Sequence, residues 1–95
     1  MGILDRILHR RQAAVSDRRS QLLAHGRITD GVILDCEINE TGHEVVVYMY
    51  TLNGVDFESS DILTEDQRSD RLKYAPGAKV GIRYDPRNQG NSIVE

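Results

Sequence analysis

Apolar residues recur along the first 25 positions at helical spacing. Stepping about 100° per residue, Ile3, Leu4, Ile7, Leu8, Ala14, Val15 and Leu22 share a stripe roughly 140° wide, the mark of one buried face. No proline or glycine lies between residues 3 and 25, and Gly26 stands where a left-handed residue closes a helix. The spacing predicts an amphipathic helix as one unit over residues 1–26. Leu8, Val15 and Leu22 sit seven apart, but Arg11 and Arg18 fall on the same seam, which argues against a long homodimeric zipper.

From Arg27 onward the period drops to two. Ile28, Val32, Leu34, Cys36 and Ile38 alternate with mostly polar neighbours, so the pattern predicts a first strand with these even positions facing inward. His43 to Leu52 is rich in β-branched and aromatic residues, and Asn53-Gly54 supplies the two positive φ angles of a type I′ turn before a third strand from Val55 to Ser60. That turn pairs Leu52 with Val55, Tyr50 with Phe57 and Tyr48 with Ser59 on one face, and Met49 with Glu58 and Thr51 with Asp56 on the other. A five-residue connection, Asn39 to His43, then sets Leu34 opposite Tyr48 and Cys36 opposite Val46.

Thr64-Glu65-Asp66-Gln67 has the form of a capping box and predicts a helical turn near Glu65 to Leu72. Pro76-Gly77 turns the chain into a fourth strand, where Val80, Ile82 and Tyr84 alternate inward. At the next turn, Asp85-Pro86, the proline presets φ and the aspartate can accept from the amide two residues on. Ser92 to Val94 is expected to add a short fifth strand. Five short antiparallel strands over residues 27–95 predict a small SH3-like or OB-like β barrel.

The second strand is apolar on both faces. Val46, Tyr48, Tyr50 and Leu52 point one way, and Val45, Val47 and Met49 the other. A solvated outer face has no need of the last three, so the helix is expected to cover them, in its own subunit or swapped into a second copy. Arg11 and Arg18 would then reach Asp56 and Glu58.

Composition narrows the class. Ninety-five residues can build one small domain, and 28% charged with 39% hydrophobic residues fits neither a wholly disordered chain nor a membrane-embedded one. Residues 1–27 hold six arginines against two aspartates, whereas the remainder holds six cations against thirteen carboxylates. The basic segment is expected to meet something negative: the domain itself, a partner or an anionic lipid surface. With one cysteine, no signal-peptide pattern and no spanning segment, the expected compartment is the cytoplasm, with a peripheral membrane position open to the helix. The opening Met-Gly-Ile-Leu-Asp-Arg also lacks the serine or threonine of a myristoylation signal.

Catalytic chemistry finds no purchase here. Cys36 is expected to be buried on the core face and inert, with His43 in the loop beyond it. His9 and His25 have no partners at zinc spacing, and Glu65, Asp66 and Asp70 lack the alternation of a calcium loop. No phosphate-cradling glycine loop is present. No catalytic residue, metal, cofactor or small-molecule substrate is therefore expected, and the chain is read as a non-enzyme. Tyr48, Tyr50 and Phe57 are better explained as core than as a nucleic-acid stacking platform, because the acidic barrel repels phosphate.

The strand at Gly31-Val32-Ile33-Leu34, the hairpin with Asn53-Gly54 and the closing Gly77-Ala78-Lys79-Val80-Gly81-Ile82-Arg83-Tyr84-Asp85-Pro86-Arg87-Asn88 give a recognisable order of parts. It resembles a bacterial family of small β domains of unknown function whose closing motif reads Gly-x-x-Val-x-Val-x-Tyr-Asp-Pro-x-Asn-Pro. Gln89 replaces the second proline, and Ile82 replaces a valine. The likeness covers residues 27–95 and implies a fold without a chemistry. Similar members are often tethered to membranes by hydrophobic helices, whereas the helix here is amphipathic.

The sequence thus predicts a noncatalytic interaction or assembly module. Its contact face with a protein partner or a second copy is Ile3, Leu4, Ile7, Leu8, Arg11, Val15, Arg18 and Leu22, and its structural turns are Asn53, Gly54, Asp85 and Pro86. A membrane adaptor, with the helix on anionic lipid, is the second expectation. A nucleic-acid-binding barrel is the third and the least supported.

Overall fold

A computed structural model describes residues 17–95 of the chain. A helix, α1, occupies residues 17–25 and leads directly into β1 (Arg27–Ile38), followed by β2 (Glu44–Leu52) and β3 (Val55–Ile62). One helical turn, α2 (Glu65–Arg68), precedes β4 (Lys79–Asp85) and β5 (Asn88–Val94). The strands form one antiparallel sheet in the order β3-β2-β1-β4-β5, and the sheet curls until β3 lies against β5, giving a nearly closed barrel.

The turns follow from their residues. Asn53 and Gly54 take φ of 52° and 81°, as a type I′ turn requires, and every predicted pair between β2 and β3 forms. Thr64 caps α2 through Gln67 N, while the Gln67 side chain accepts from Thr64 N. This helix ends at Arg68, shorter than the sequence suggests, and β5 is longer. Asp85 Oδ1 accepts from Arg87 N at 2.9 Å, fixing the Asp85-Pro86 turn. Asn39 Oδ1 accepts from Thr41 N and His43 N and so ties the five-residue connection. Gly26 follows α1, but without a positive φ.

Large side chains fill the barrel. Tyr48, Tyr50, Ile33, Ile82, Val46 and Val94 are all buried, and each such group contributes about 1.5–3 kcal/mol on leaving water. Tyr50 stacks between Phe57 and Tyr84, with ring centroids 5.4 and 6.4 Å away. The buried hydroxyls are satisfied: Tyr48 shares a hydrogen bond with Ser92 Oγ at 2.7 Å, Tyr50 donates to the Gln89 carbonyl, and Tyr74 donates to the Glu95 carbonyl.

The register of β1 departs from the expectation. A bulge between Ile33 and Asp35 inserts Leu34 without a partner, so Ile33, not Leu34, opposes Tyr48. Beyond the bulge the alternation changes phase, and Cys36 opposes Val46 as anticipated. Before it, the odd positions face inward. Ile28 and Leu34 are consequently 58% and 43% exposed, and Val32 lies on the outer face. Cys36 is not buried. Its stretch of β1 runs past the covered part of the barrel, leaving the thiol exposed and Ile38 71% exposed.

Candidate functional site

Two surfaces carry the polar and apolar groups that barrel packing leaves over. The first is the seam where β3 meets β5. No backbone ladder joins these strands. Side chains close the gap instead: Asp61 Oδ2 accepts from Val94 N at 3.0 Å, and the Val94 carbonyl accepts from Gln67 Nε2 at 2.9 Å and from an Arg19 guanidinium nitrogen at 3.0 Å. The same Arg19 nitrogen lies 3.8 Å from Asp61, and Arg18 donates to Asn91 Oδ1 and to the Ser92 carbonyl. Burial pushes the Asp61 carboxyl above its ordinary value, opposed by the Val94 amide and the charges of Arg19 and Arg18.

The third strand expected from the sequence stops at Ser60, but β3 runs to Ile62 and sets Asp61 on the inward side, opposite Val46. Continuing the alternation would have found it, since a carboxylate at such a position needs partners. Gln67 was legible only as a capping residue, and Arg19 and Ile93 gave no signal for this seam. Ile93 points outward from β5 beside Arg83, yet it is only 2% exposed. The cover comes from α1: Arg18 and Arg19 line one cleft together with Ile93 and Ile62, and Leu22 is buried alongside. Helix and barrel therefore meet, but at β5. Arg18 engages Asn91 and Ser92 rather than the expected Asp56 or Glu58 of the hairpin.

The second surface is the outer face of β1, β2 and β3. Val45, Val47 and Met49 run down its centre, half-buried. The register sets Val32 beside Met49 and Ile62 beside Val45, widening the apolar strip across three strands. Carboxylates border it on both sides: Glu37 opposes Val45 and Asp35 opposes Val47 from β1, while Glu58 opposes Met49 and Asp56 opposes Thr51 from β3. None of the four is ion-paired with a described residue. Lys79, beside Val32, is the neighbouring cation. The bulge of β1 builds this face, because it turns Val32 outward from a core position that the simple alternation had assigned to it.

A hollow of about 230 Å³ lies between β1 and α2, lined by Cys36, Glu44, Arg68, Arg71 and Tyr74 among others. Partial burial first, then the charges of Glu44 and Asp35, hold the Cys36 thiol above its usual range. A raised value keeps the thiolate scarce, which is the reverse of what an activated nucleophile needs. Arg68 Nε is buried with no hydrogen-bond partner among the described residues.

Of the predicted contact face, Leu22 and Arg18 take part in the α1 contact with the barrel, while Ile3, Leu4, Ile7, Leu8, Arg11 and Val15 lie outside the described residues. No described helix is long and apolar enough to cross a membrane. No group of three or more metal-ligating side chains occurs among the described residues.

The family model described as Domain of unknown function (DUF3592) matches residues 24–95, and the chain belongs to that family. Neither the curated proteins nor the solved structures provide a match.

Proposed function

We propose that this DUF3592 domain is a noncatalytic interaction and assembly module, and that its recognition surface is the acid-bordered apolar face of β1, β2 and β3. One observation carries the reading. A strip of Val32, Val45, Val47 and Met49, with Ile62 at its edge, lies half-buried on the barrel's outside, covered by no described element and bordered by Asp35, Glu37, Glu58 and Asp56. An apolar patch with a polar rim is what a protein partner covers, and carboxylate borders select a partner that is basic at its margins. Its natural complement is an amphipathic helix with arginine or lysine flanking the apolar stripe. The same borders repel phosphate, which weighs against nucleic acid and against an anionic bilayer lying on this face.

A titration of isotope-labelled full chain with a basic amphipathic helical peptide tests this. Shifts concentrated at Val45, Val47, Met49 and Ile62, and lost in Val47→Glu, are expected. Shifts elsewhere, or binding of the full chain to anionic vesicles or single-stranded DNA with these resonances unmoved, would overturn the reading.

A further inference from the structure

Resting on that reading of the outer face, we infer that its occupant is residues 1–16 of a second copy of this chain, exchanged reciprocally between two molecules.

α1 crosses the barrel in a defined direction. Its last residue, His25, and the following Gly26 lie beside Asp85 and Pro86 at the turn joining β4 and β5. Its Arg18 and Arg19 lie at the far end of β5, against Asn91, Ser92 and Val94, with Ile62 and Thr64 alongside. The helix thus runs antiparallel to β5, and its N-terminal end faces the end of the barrel where β3 finishes. The apolar strip begins there, with Ile62 beside Val45, and runs back along β2 toward Met49. To cover its own strip, the chain would have to reverse direction close to residue 16. The sequence has no glycine or proline between residues 3 and 25 to make that reversal. A second molecule's strip, approached from outside, needs none.

The two halves of the contact match. Residues 1–16 present Ile3, Leu4, Ile7, Leu8 and Val15 at helical spacing, with Arg6, Arg10 and Arg11 against a single acid, Asp5. The strip offers five apolar side chains between Glu37 and Asp35 on one border and Glu58 on the other. Sixteen residues in a helix span roughly 24 Å, ample for the strip from Val45 to Met49 at about 3.4 Å per residue. Each copy carries one segment and one strip, so exchange closes with two-fold symmetry and leaves neither unpaired.

Complementation between variants of the full chain tests the exchange. Sedimentation should give a dimer for the native chain and a monomer for either Leu8→Glu or Val47→Glu. Mixing those two variants should restore a dimer, because one intact segment meets one intact strip. A near-ultraviolet tyrosine spectrum matching the native one certifies that each variant is folded. Should Val47→Glu fail to fold, Glu37→Lys with Glu58→Lys, both exposed, serves in its place. That pair should weaken the dimer by roughly tenfold or more, and a partner copy carrying Arg6→Glu and Arg10→Glu should recover it. A native chain monomeric at every concentration, or a Leu8→Glu variant that stays dimeric, overturns the inference. In that event, a basic peptide that still shifts Val45 and Val47 leaves the recognition surface standing, and a peptide that shifts neither removes both.

Discussion

Nothing within 4 Å of Gly54 would touch an added Cβ, so its φ of 81° is the whole of what restricts that position. Gly54→Val should therefore destabilise through backbone strain alone, on the order of 1–2 kcal/mol, read as a lowered melting temperature. Gly31 presents the opposite case. A Cβ there would meet Ile82 Cγ1 at 2.7 Å and the Met49 carbonyl oxygen at 2.8 Å, where β1 passes between its two neighbours. Gly31→Ala should cost about 1–3 kcal/mol from overpacking, measured by urea unfolding. Cys36 should react completely with a thiol reagent in the native state, since it is exposed, but slowly at neutral pH because its thiolate is scarce. Glu44→Gln should speed that reaction, and no reaction without denaturant would contradict the exposure. At this scale the sequence was legible wherever a residue type dictates a geometry, as at Asn53, Gly54, Thr64 and Asp85. It was illegible at Leu34, because a bulge shifts the phase of alternation without altering the composition that alternation is read from.

Among the elements, the seam between β3 and β5 depends on ionisation. Asp61 keeps its proton in the folded state at pH values where the unfolded chain has already released it. Below the ordinary carboxylate range both states are protonated. As pH rises through that ordinary value toward the raised native one, the unfolded state binds fewer protons and this group's contribution to stability falls. Asp61→Asn removes the titration. The stability of the native chain relative to this variant should therefore decline as pH climbs through that window and level off above it, in urea unfolding at a series of pH values. The opposite slope would mean that Arg19 and the Val94 amide outweigh burial. The turn and register of the β2–β3 hairpin were readable, because one two-residue turn fixes every pair, although β3 runs two residues beyond the expected Ser60. The docking of α1 was only half readable. Its stripe announced that Leu22 needed cover, but Ile93 is a single apolar residue in a short polar strand and gave no periodic signal. Hence the hairpin was taken for the dock of the whole stripe, whereas its described part, residues 17–25, docks at β5.

For the whole molecule, the division of charge into a basic beginning and an acidic barrel would make the proposed exchange sensitive to salt. Raising ionic strength from about 0.05 to 0.5 M shortens the screening length to a few ångströms and should shift the exchanged dimer toward monomer. Apolar burial is unaffected by screening, so the loss should be partial, as sedimentation at matched concentrations would record.

The hydrogen bonds of the seam have one more effect. A strand at the margin of a sheet ordinarily displays unpaired amides and carbonyls, a template on which a strand from another molecule can add and aggregation can begin. On β5 those groups are engaged: the Ser92 carbonyl by Arg18, the Val94 carbonyl by Arg19 and Gln67, and the Val94 amide by Asp61. The two arginines thus act as a guard against strand addition as well as a clasp for α1. With Arg18→Ala and Arg19→Ala combined, the barrel should remain folded yet form thioflavin-positive fibrils on prolonged incubation, while the native chain stays clear.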